Sequence, residues 1–115
     1  MKLIIDRDNW IRGEGGESGR LCRASDGKMC PVGMLLQQAG VPKTALAGRR
    51  SASAVPYLPE SVRWLVWKLE GGGTFETEEA TYLYTTNDSP TLPEAEREDL
   101  LRNQFAKQHV EVEFV

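Results

Sequence analysis

The sequence predicts an α+β fold in which a small sheet of two or three strands, including both chain termini, is packed by about four helices. Residues 3–5 form a short apolar run near the start, and residues 110–114 alternate apolar and acidic side chains. That alternation has the two-residue period of a strand with one buried face. Neither strand can bury its apolar side or pair its backbone alone, so we expect the chain ends to lie side by side. An exposed edge beside residues 110–115 would also permit a homodimer by strand addition.

The length and composition predict that residues 1–115 form a single compact domain. The chain has 115 residues, of which 40% are apolar and 27% charged, and domains of about 100–150 residues are the commonest size. No window approaches the roughly 18 apolar residues of a membrane span. The start becomes acidic at Asp6, too early for a signal peptide, so we expect a cytoplasmic protein without membrane contact. Two cysteines, Cys22 and Cys30, are too few for a disulfide-stabilised secreted domain and are expected as free thiols.

The first half of the chain predicts a strand, a helix and a further helical turn. Residues 20–24 are a possible second strand, which the turn signal at residues 25–27 closes. A helix is expected over residues 31–39, because its proline suits the first turn and its apolar side chains recur at spacings of three and four. Gly40 is placed to end it in the left-handed conformation. Residues 44–47 predict one more helical turn.

The middle of the chain predicts a surface connection followed by a second helix. Residues 48–59 have the composition of a connection at the surface. Residues 59–61 open a helix in which Val62, Leu65, Val66 and Leu69 form the apolar side, and three glycines at residues 71–73 end it.

The acidic second half predicts two helices. Thr77 and the acids after it resemble a helix start, and the helix would end at residues 87–90. Residues 81–86 alternate almost as well as a strand does, so both readings stay open. The last helix begins at residues 93–96 and ends near Lys107 and His109, which match the helix dipole. Its buried stripe is expected to be Leu100, Leu101 and Phe105.

The charge is unevenly distributed along the chain. Residues 1–70 carry a net charge of +4 and residues 71–115 carry −7, which gives the overall −3. Such a division suits electrostatic docking to a partner, or nucleic-acid binding through the basic half. Arg49 and Arg50 form a basic loop that other arginines would extend: Arg7, Arg12, Arg20, Arg23 and Arg63. The acidic last helix suggests nucleic-acid mimicry as a related alternative.

The motifs of common catalytic and cofactor sites are missing from the sequence. The glycine-rich loop at residues 13–19 has neither the dinucleotide nor the phosphate-loop pattern. Cys22, Cys30 and one distant His109 lack the spacing of a zinc site. Cys30 precedes a predicted helix, where unpaired N–H groups lower a thiol's pKa, yet nothing in the spacing brings it to His109 or Asp88. We expect no cofactor, no metal and a buried structural cysteine, with a small thiol enzyme as the third-ranked function.

The aromatic segment from residue 57 to residue 68 is the preferred contact surface. Trp64 and Trp67 are three residues apart and would be neighbours on one helical face, and tryptophan is enriched at binding hot spots. The predicted partner-binding residues are Tyr57, Arg63, Trp64, Trp67, Arg49 and Arg50.

The chain also resembles a group of small uncharacterised accessory proteins of tailed phages and prophages. The resembling features are Asp26-Gly27-Lys28-Met29-Cys30 leading through Gly33 into a helix, Asn87-Asp88-Ser89-Pro90, and residues 94–105 leading into residues 110–114. Many members have a second cysteine after the Met-Cys pair, where this chain has Pro31, which argues against a paired thiol.

The resemblance implies a host-directed role. We therefore expect a non-enzymatic phage-type accessory protein, located in the host cytoplasm, that binds and modulates a host macromolecule, with a host protein as the leading partner. A small nucleic-acid-binding or nucleic-acid-mimicking protein is the alternative.

Overall fold

Four strands and four α-helices make up an α+β fold, as the sequence predicts. The computed structural model describes the backbone of residues 1–115 and every side chain except those of Glu17 and Ser18. The strands are β1 (Lys2–Ile5), β2 (Val66–Lys68), β3 (Thr74–Glu76) and β4 (Glu111–Phe114). The helices are α1 (Pro31–Gln38), α2 (Lys43–Leu46), α3 (Glu78–Asp88) and α4 (Glu94–Ala106). Short 3-10 helices lie at Arg7–Asn9, Gly15–Ser18, Ala52–Ala54 and Glu60–Leu65.

The two chain ends pair in one sheet, which confirms the predicted arrangement. β1 and β4 run parallel, with Leu3 opposite Val112 and Ile5 opposite Phe114. Leu3 and Ile5 are fully buried and enter the main hydrophobic core. On the opposite face Lys2 forms an ion pair with Glu113 at 2.9 Å. The two-residue period therefore placed the correct side of each strand inward.

The helix α1 begins and ends where its sequence signals lie. The Cys30 side chain caps its start by accepting a hydrogen bond from the Gly33 N–H at 3.4 Å. A Cβ atom on Gly33 would lie 1.9 Å from the Leu21 carbonyl oxygen, so only glycine permits this close approach. Gly40, with φ of +112°, follows the helix in the conformation expected for its end.

The predicted strand over residues 20–24 is wrong. The segment makes one isolated parallel bridge, between Cys22 and Ala47. Its other backbone groups bond to different loops, because the Leu21 N–H donates to Arg49 and the Arg20 carbonyl accepts from Cys30. These partners lie on unrelated segments, so no regular ladder forms.

The predicted second helix is wrong beyond Leu65. Residues Glu60–Leu65 form a 3-10 helix, and Val66 begins the strand β2. Thr77 ends the 3-10 helix, since its N–H donates to the Leu65 carbonyl at 3.0 Å and its hydroxyl donates to the Trp64 carbonyl at 3.0 Å. The chain then turns back on itself instead of continuing the helical pattern.

The connection at residues 48–59 is only partly a surface segment. Three residues of this connection are buried in the core: Ala52, Val55 and Leu58. The first of them belongs to the short 3-10 helix at Ala52–Ala54, and the other two follow that helix. Tyr57, by contrast, is among the exposed aromatic residues.

The helices α3 and α4 follow their predicted starts. The Thr77 side chain caps α3 by accepting from the Ala80 N–H at 3.2 Å, so the helical reading of residues 78–86 is the correct one. In α4, Leu101 and Phe105 are buried as expected, but Leu100 is 37% exposed. Arg97, rather than Leu100, completes the buried stripe, since residues 97, 101 and 105 lie four apart along one side.

The buried guanidinium of Arg97 fastens the end of α3 to α4. It donates to the carbonyl oxygens of Thr86 and Asn87, both at 2.8 Å, and to those of Ser89 and Leu92 at 2.9 and 3.0 Å. These groups belong to the last turn of α3 and the loop after it, where helical carbonyls have no intrahelical partner.

The side chain of Asn87 ties this junction to the N-terminal segment. Its amide oxygen accepts from the Trp10 indole N–H at 2.7 Å, and its NH₂ group donates to the Ile11 carbonyl at 3.0 Å.

In the described part of the chain, no helix is both long enough and apolar enough to cross a membrane.

Candidate interaction surface

The outer face of the β2–β3 hairpin carries three large apolar side chains exposed to solvent. Trp67 and Phe75 are directly opposite each other across the two strands, and they are 57% and 46% exposed. Leu69, two residues after Trp67, is 51% exposed, and the two-residue period puts it on the same side. We call Trp67, Leu69 and Phe75 the hairpin face.

A glycine turn forces this hairpin. Gly71 and Gly72 have φ of +94° and +98°, a conformation that other residues adopt rarely. The Leu69 N–H donates to the Gly73 carbonyl at 2.7 Å and closes the loop. Residues 66–67 are β-branched and aromatic, which favours the extended conformation. Cross-strand pairing between Trp67 and Phe75 adds to the stability of the hairpin.

Polar contacts fix β3 to the rest of the protein. The Glu76 carboxylate accepts from the Ser53 N–H at 2.8 Å and from the Tyr84 hydroxyl at 3.2 Å. The Tyr84 hydroxyl in turn accepts from the Ala52 N–H at 3.0 Å, and burial together with Glu76 raises the pKa of Tyr84. The Thr74 hydroxyl donates to the Ser53 carbonyl at 3.0 Å. The hairpin face is therefore presented on an anchored support.

A groove of about 220 Å³ lies against the other face of the hairpin. Val66 and Lys68, which alternate with Trp67, line it from β2. Tyr57 and Arg63 line it from the preceding segment, and the Arg63 side chain donates to the Leu58 carbonyl at 3.3 Å. The structure therefore brings Tyr57 and Arg63 together, with Trp67 on the opposite side of the hairpin.

The other three predicted partner-binding residues lie elsewhere. Trp64 is half-buried and packs edge-on against the Phe105 ring, with centroids 6.4 Å apart, so it is not a helical-face neighbour of Trp67. Arg49 donates to the Ala45 and Ala54 carbonyls, both at 2.7 Å, and so holds its own loop together. Arg50 is exposed.

Acidic partners neutralise three arginines of the predicted basic patch, which are Arg7, Arg12 and Arg23. Arg7 holds Glu98 through two hydrogen bonds of 2.8 and 2.7 Å, and this contact lowers the pKa of Glu98. Arg12 bonds to Glu94 at 2.6 Å. Partial burial works to raise the pKa of Glu94, but Arg12 and Arg97 outweigh it and hold the pKa below its ordinary value.

Arg23 is neutralised in the same way. It contacts Asp26 at 2.5 Å, and that hydrogen bond, with one from the Lys28 N–H, lowers the pKa of Asp26 to about 2. Charges that are paired within the protein contribute less to the field a phosphate backbone would meet.

The thiol of Cys30 is inaccessible and protonated. It is buried at the start of α1, and this burial raises its pKa to about 12. The predicted lowering by helix N–H groups does occur, through Gly33, but desolvation outweighs it. His109 lies between α4 and β4, where its carbonyl accepts a hydrogen bond from the Met1 amino group. Among the described residues, both cysteines are free and no cluster of three metal-ligating side chains occurs.

The sequence reasoning missed Phe75 and misplaced Leu69, which it assigned to a buried helical face. A signal was available: two short runs rich in β-branched and aromatic residues flank three glycines, the pattern of a hairpin. The apolar spacing of residues 62–69 fitted a helix as well and concealed it.

The residues on which the sequence analysis bases its predicted resemblance to phage proteins have structural roles in this fold. Gly33 permits the contact with Leu21, Asn87 holds Trp10, and Asp26 receives the Lys28 N–H in a turn at 3.0 Å. They therefore mark the scaffold more than the interaction surface. No protein-family model, curated protein or solved structure matches the chain.

Proposed function

We propose that this chain is a non-enzymatic binding protein whose hairpin face docks on a host protein and thereby modulates it in the host cytoplasm. The observation that carries the proposal is the outward cluster of Trp67, Leu69 and Phe75 on an anchored hairpin. The resemblance to phage accessory proteins supplies the host context, and the hairpin face supplies the surface.

The physical argument rests on the cost of leaving such side chains in water. Burying apolar surface yields about 25 cal/mol per Å², and clustered exposed apolar side chains are typical of interaction sites. Tryptophan supplies a large contact area at low conformational-entropy cost and is enriched at binding hot spots. An anchored support avoids a further ordering cost on binding.

A protein partner is favoured over a nucleic acid. Stacking on nucleic-acid bases normally combines aromatic side chains with a positively charged groove. Here Arg7, Arg12 and Arg23 are paired with carboxylates, and the hairpin face includes an aliphatic residue, Leu69, beside its two aromatic side chains. This combination suits an apolar protein surface.

The test compares three forms of the protein. Wild type, Trp67→Ser/Phe75→Ser and the control Tyr82→Ser, which removes an equally exposed aromatic from α3, are used to capture partners from nuclease-treated host lysate. The recovered protein is then purified, and its affinity is measured for each form at two salt concentrations. Hydrogen exchange locates the protected residues.

We expect wild type and Tyr82→Ser to recover a defined complex, and the double variant to bind the partner about 30-fold or more weakly. The affinity should depend only weakly on salt. The amides protected from hydrogen exchange on binding should centre on residues 66–76. Three results would overturn the proposal: unchanged affinity of the double variant, protection that lies elsewhere, or recovery of no partner protein once the nucleic acid in the lysate has been digested. Nucleic-acid binding would be assigned instead if the affinity fell steeply with rising salt and if Arg49→Ala/Arg50→Ala abolished this salt dependence.

A further inference from the structure

The outer edge of β4 has unpaired backbone groups. On the side that faces β1, the Glu111 N–H donates to the carbonyl of Met1, just before β1, and the Val115 N–H donates to the carbonyl of Ile5, both at 2.9 Å. Backbone groups alternate in direction along a strand, so those of Val112 and Phe114 point to the opposite edge. No hydrogen bond to these outward groups occurs among the described residues.

The corresponding edge of β1 is covered. The Gln38 side chain from the end of α1 accepts from the Ile4 N–H at 3.3 Å and donates to the Lys2 carbonyl. Its amide thus occupies the place of a neighbouring strand. Natural proteins protect sheet edges against pairing with other chains, and in this sheet only the β1 edge has such a cover among the described side chains.

An open concavity lies along the uncovered edge. It has a volume of about 620 Å³ and is lined by Arg102 and Ala106 of α4, by His109 and Val110 of the connection, and by Glu111 and Val112 of β4. A third strand laid beside β4 would place one row of its side chains over Ala106 and the Arg102 stem. The other row would lie on the opposite face, beside the β4 carboxylates.

We propose that the β4 edge binds an extended segment of another protein in which basic side chains alternate with apolar ones. Charge complementarity identifies this occupant. Glu111 and Glu113 project from the exposed face of β4, and Lys2 is the only cation paired with either of them among the described residues. Basic side chains directly opposite these carboxylates stabilise a strand pair, and like charges destabilise it.

A second copy of this chain fits the edge less well. In an antiparallel pair of β4 strands, Glu113 would face Glu111 or Glu113 of the other copy, because these residues share one face. The same side chains that attract a basic segment therefore oppose self-pairing. This surface belongs to a different sheet from the hairpin face and is independent of it.

The test uses a designed pair of peptides. A seven-residue peptide alternating valine and lysine, with both ends blocked, is compared with its valine–glutamate counterpart. The proteins are wild type, Glu111→Lys/Glu113→Lys, and the control Glu70→Lys/Glu96→Lys, which makes the same charge change at two exposed positions outside β4 and the lining of the concavity. Affinity is measured by titration, protected amides by hydrogen exchange, and mass in solution by sedimentation.

We expect wild type and the charge-matched control to bind the lysine peptide at least about tenfold more tightly than the glutamate peptide. The β4 variant should reverse this order, and the Val112 and Phe114 amides should become protected on binding. Equal binding of both peptides, binding of neither, or protection outside residues 110–115 would overturn the proposal. So would a dimer of the free protein that already protects these amides, which would assign the edge to a second copy.

Discussion

Removing the buried guanidinium of Arg97 tests whether one side chain holds α3 and α4 together. Arg97→Met keeps the length of the side chain and removes all of its donors. The side chain is 2% exposed and donates to four carbonyls at 2.8 to 3.0 Å and to Glu94 at 3.2 Å. Glu94 is half-exposed and keeps Arg12 as a partner, so no charge is left buried alone.

The magnitude follows from the carbonyl groups. A hydrogen bond from a charged donor contributes about 1.5–3 kcal/mol, and a neutral one about 1 kcal/mol. We assign about 2 kcal/mol to the buried bond at Asn87 and less than 1 kcal/mol to each of the three partly buried bonds, whose carbonyls gain water. The sum is about 4 kcal/mol, a large part of the 5–15 kcal/mol typical of a domain. It corresponds to a decrease of about 15 °C in Tm.

The assay is urea unfolding followed by circular dichroism, with Arg102→Met as the matched control. Arg102 lies on the same helix, is exposed and pairs with Asp99 at 2.9 Å, so its replacement should cost at most about 1 kcal/mol. Arg97→Lys should be intermediate, because an ammonium group cannot reach four carbonyls in a fixed plane. The reasoning is refuted if Arg97→Met is no less stable than Arg102→Met.

Three further predictions concern single side chains. Gly33→Ala should lower the free energy of unfolding by about 2 kcal/mol or more, because the new Cβ meets a backbone carbonyl. The control Gly16→Ala should not lower it, because the space around Gly16 is open. Comparable losses of the two variants in urea unfolding would contradict this prediction. The pKa of Glu98 is held below its ordinary 4.5, so its ion pair stabilises the fold above that pH and is lost as the pH falls through the lowered value. Glu98→Gln should therefore be less stable than wild type at neutral pH and equal to it in strong acid, unlike Glu96→Gln; parallel pH curves would refute the assignment. Native Cys30, with its pKa near 12, should react with iodoacetamide only as fast as the protein unfolds; rapid labelling seen by mass spectrometry would show an accessible thiolate.

The proposed interaction surface was only partly predictable from sequence. Trp67 was singled out because tryptophan is enriched at binding hot spots and a helix would place it beside Trp64, and Tyr57 was included as part of the same aromatic segment. Phe75 was missed, since its role depends on lying opposite Trp67 across a hairpin that the helical spacing of residues 62–69 concealed. Arg49 was expected to be available to a partner, but its own loop carbonyls take its donors.

The sequence by itself determined the features that depend on near neighbours along the chain. The starts of α1, α3 and α4, the glycine after α1 and the inward faces of β1 and β4 all follow from caps and periodicity, which act over a few residues. Only the tertiary structure decided that Val66 leaves the helix and that Arg97 is buried. Thr77 takes the carbonyls that a longer helix would need, and the end of α3 provides the acceptors that make a buried guanidinium stable. Both outcomes depend on groups that are at least ten residues away, which no local pattern contains.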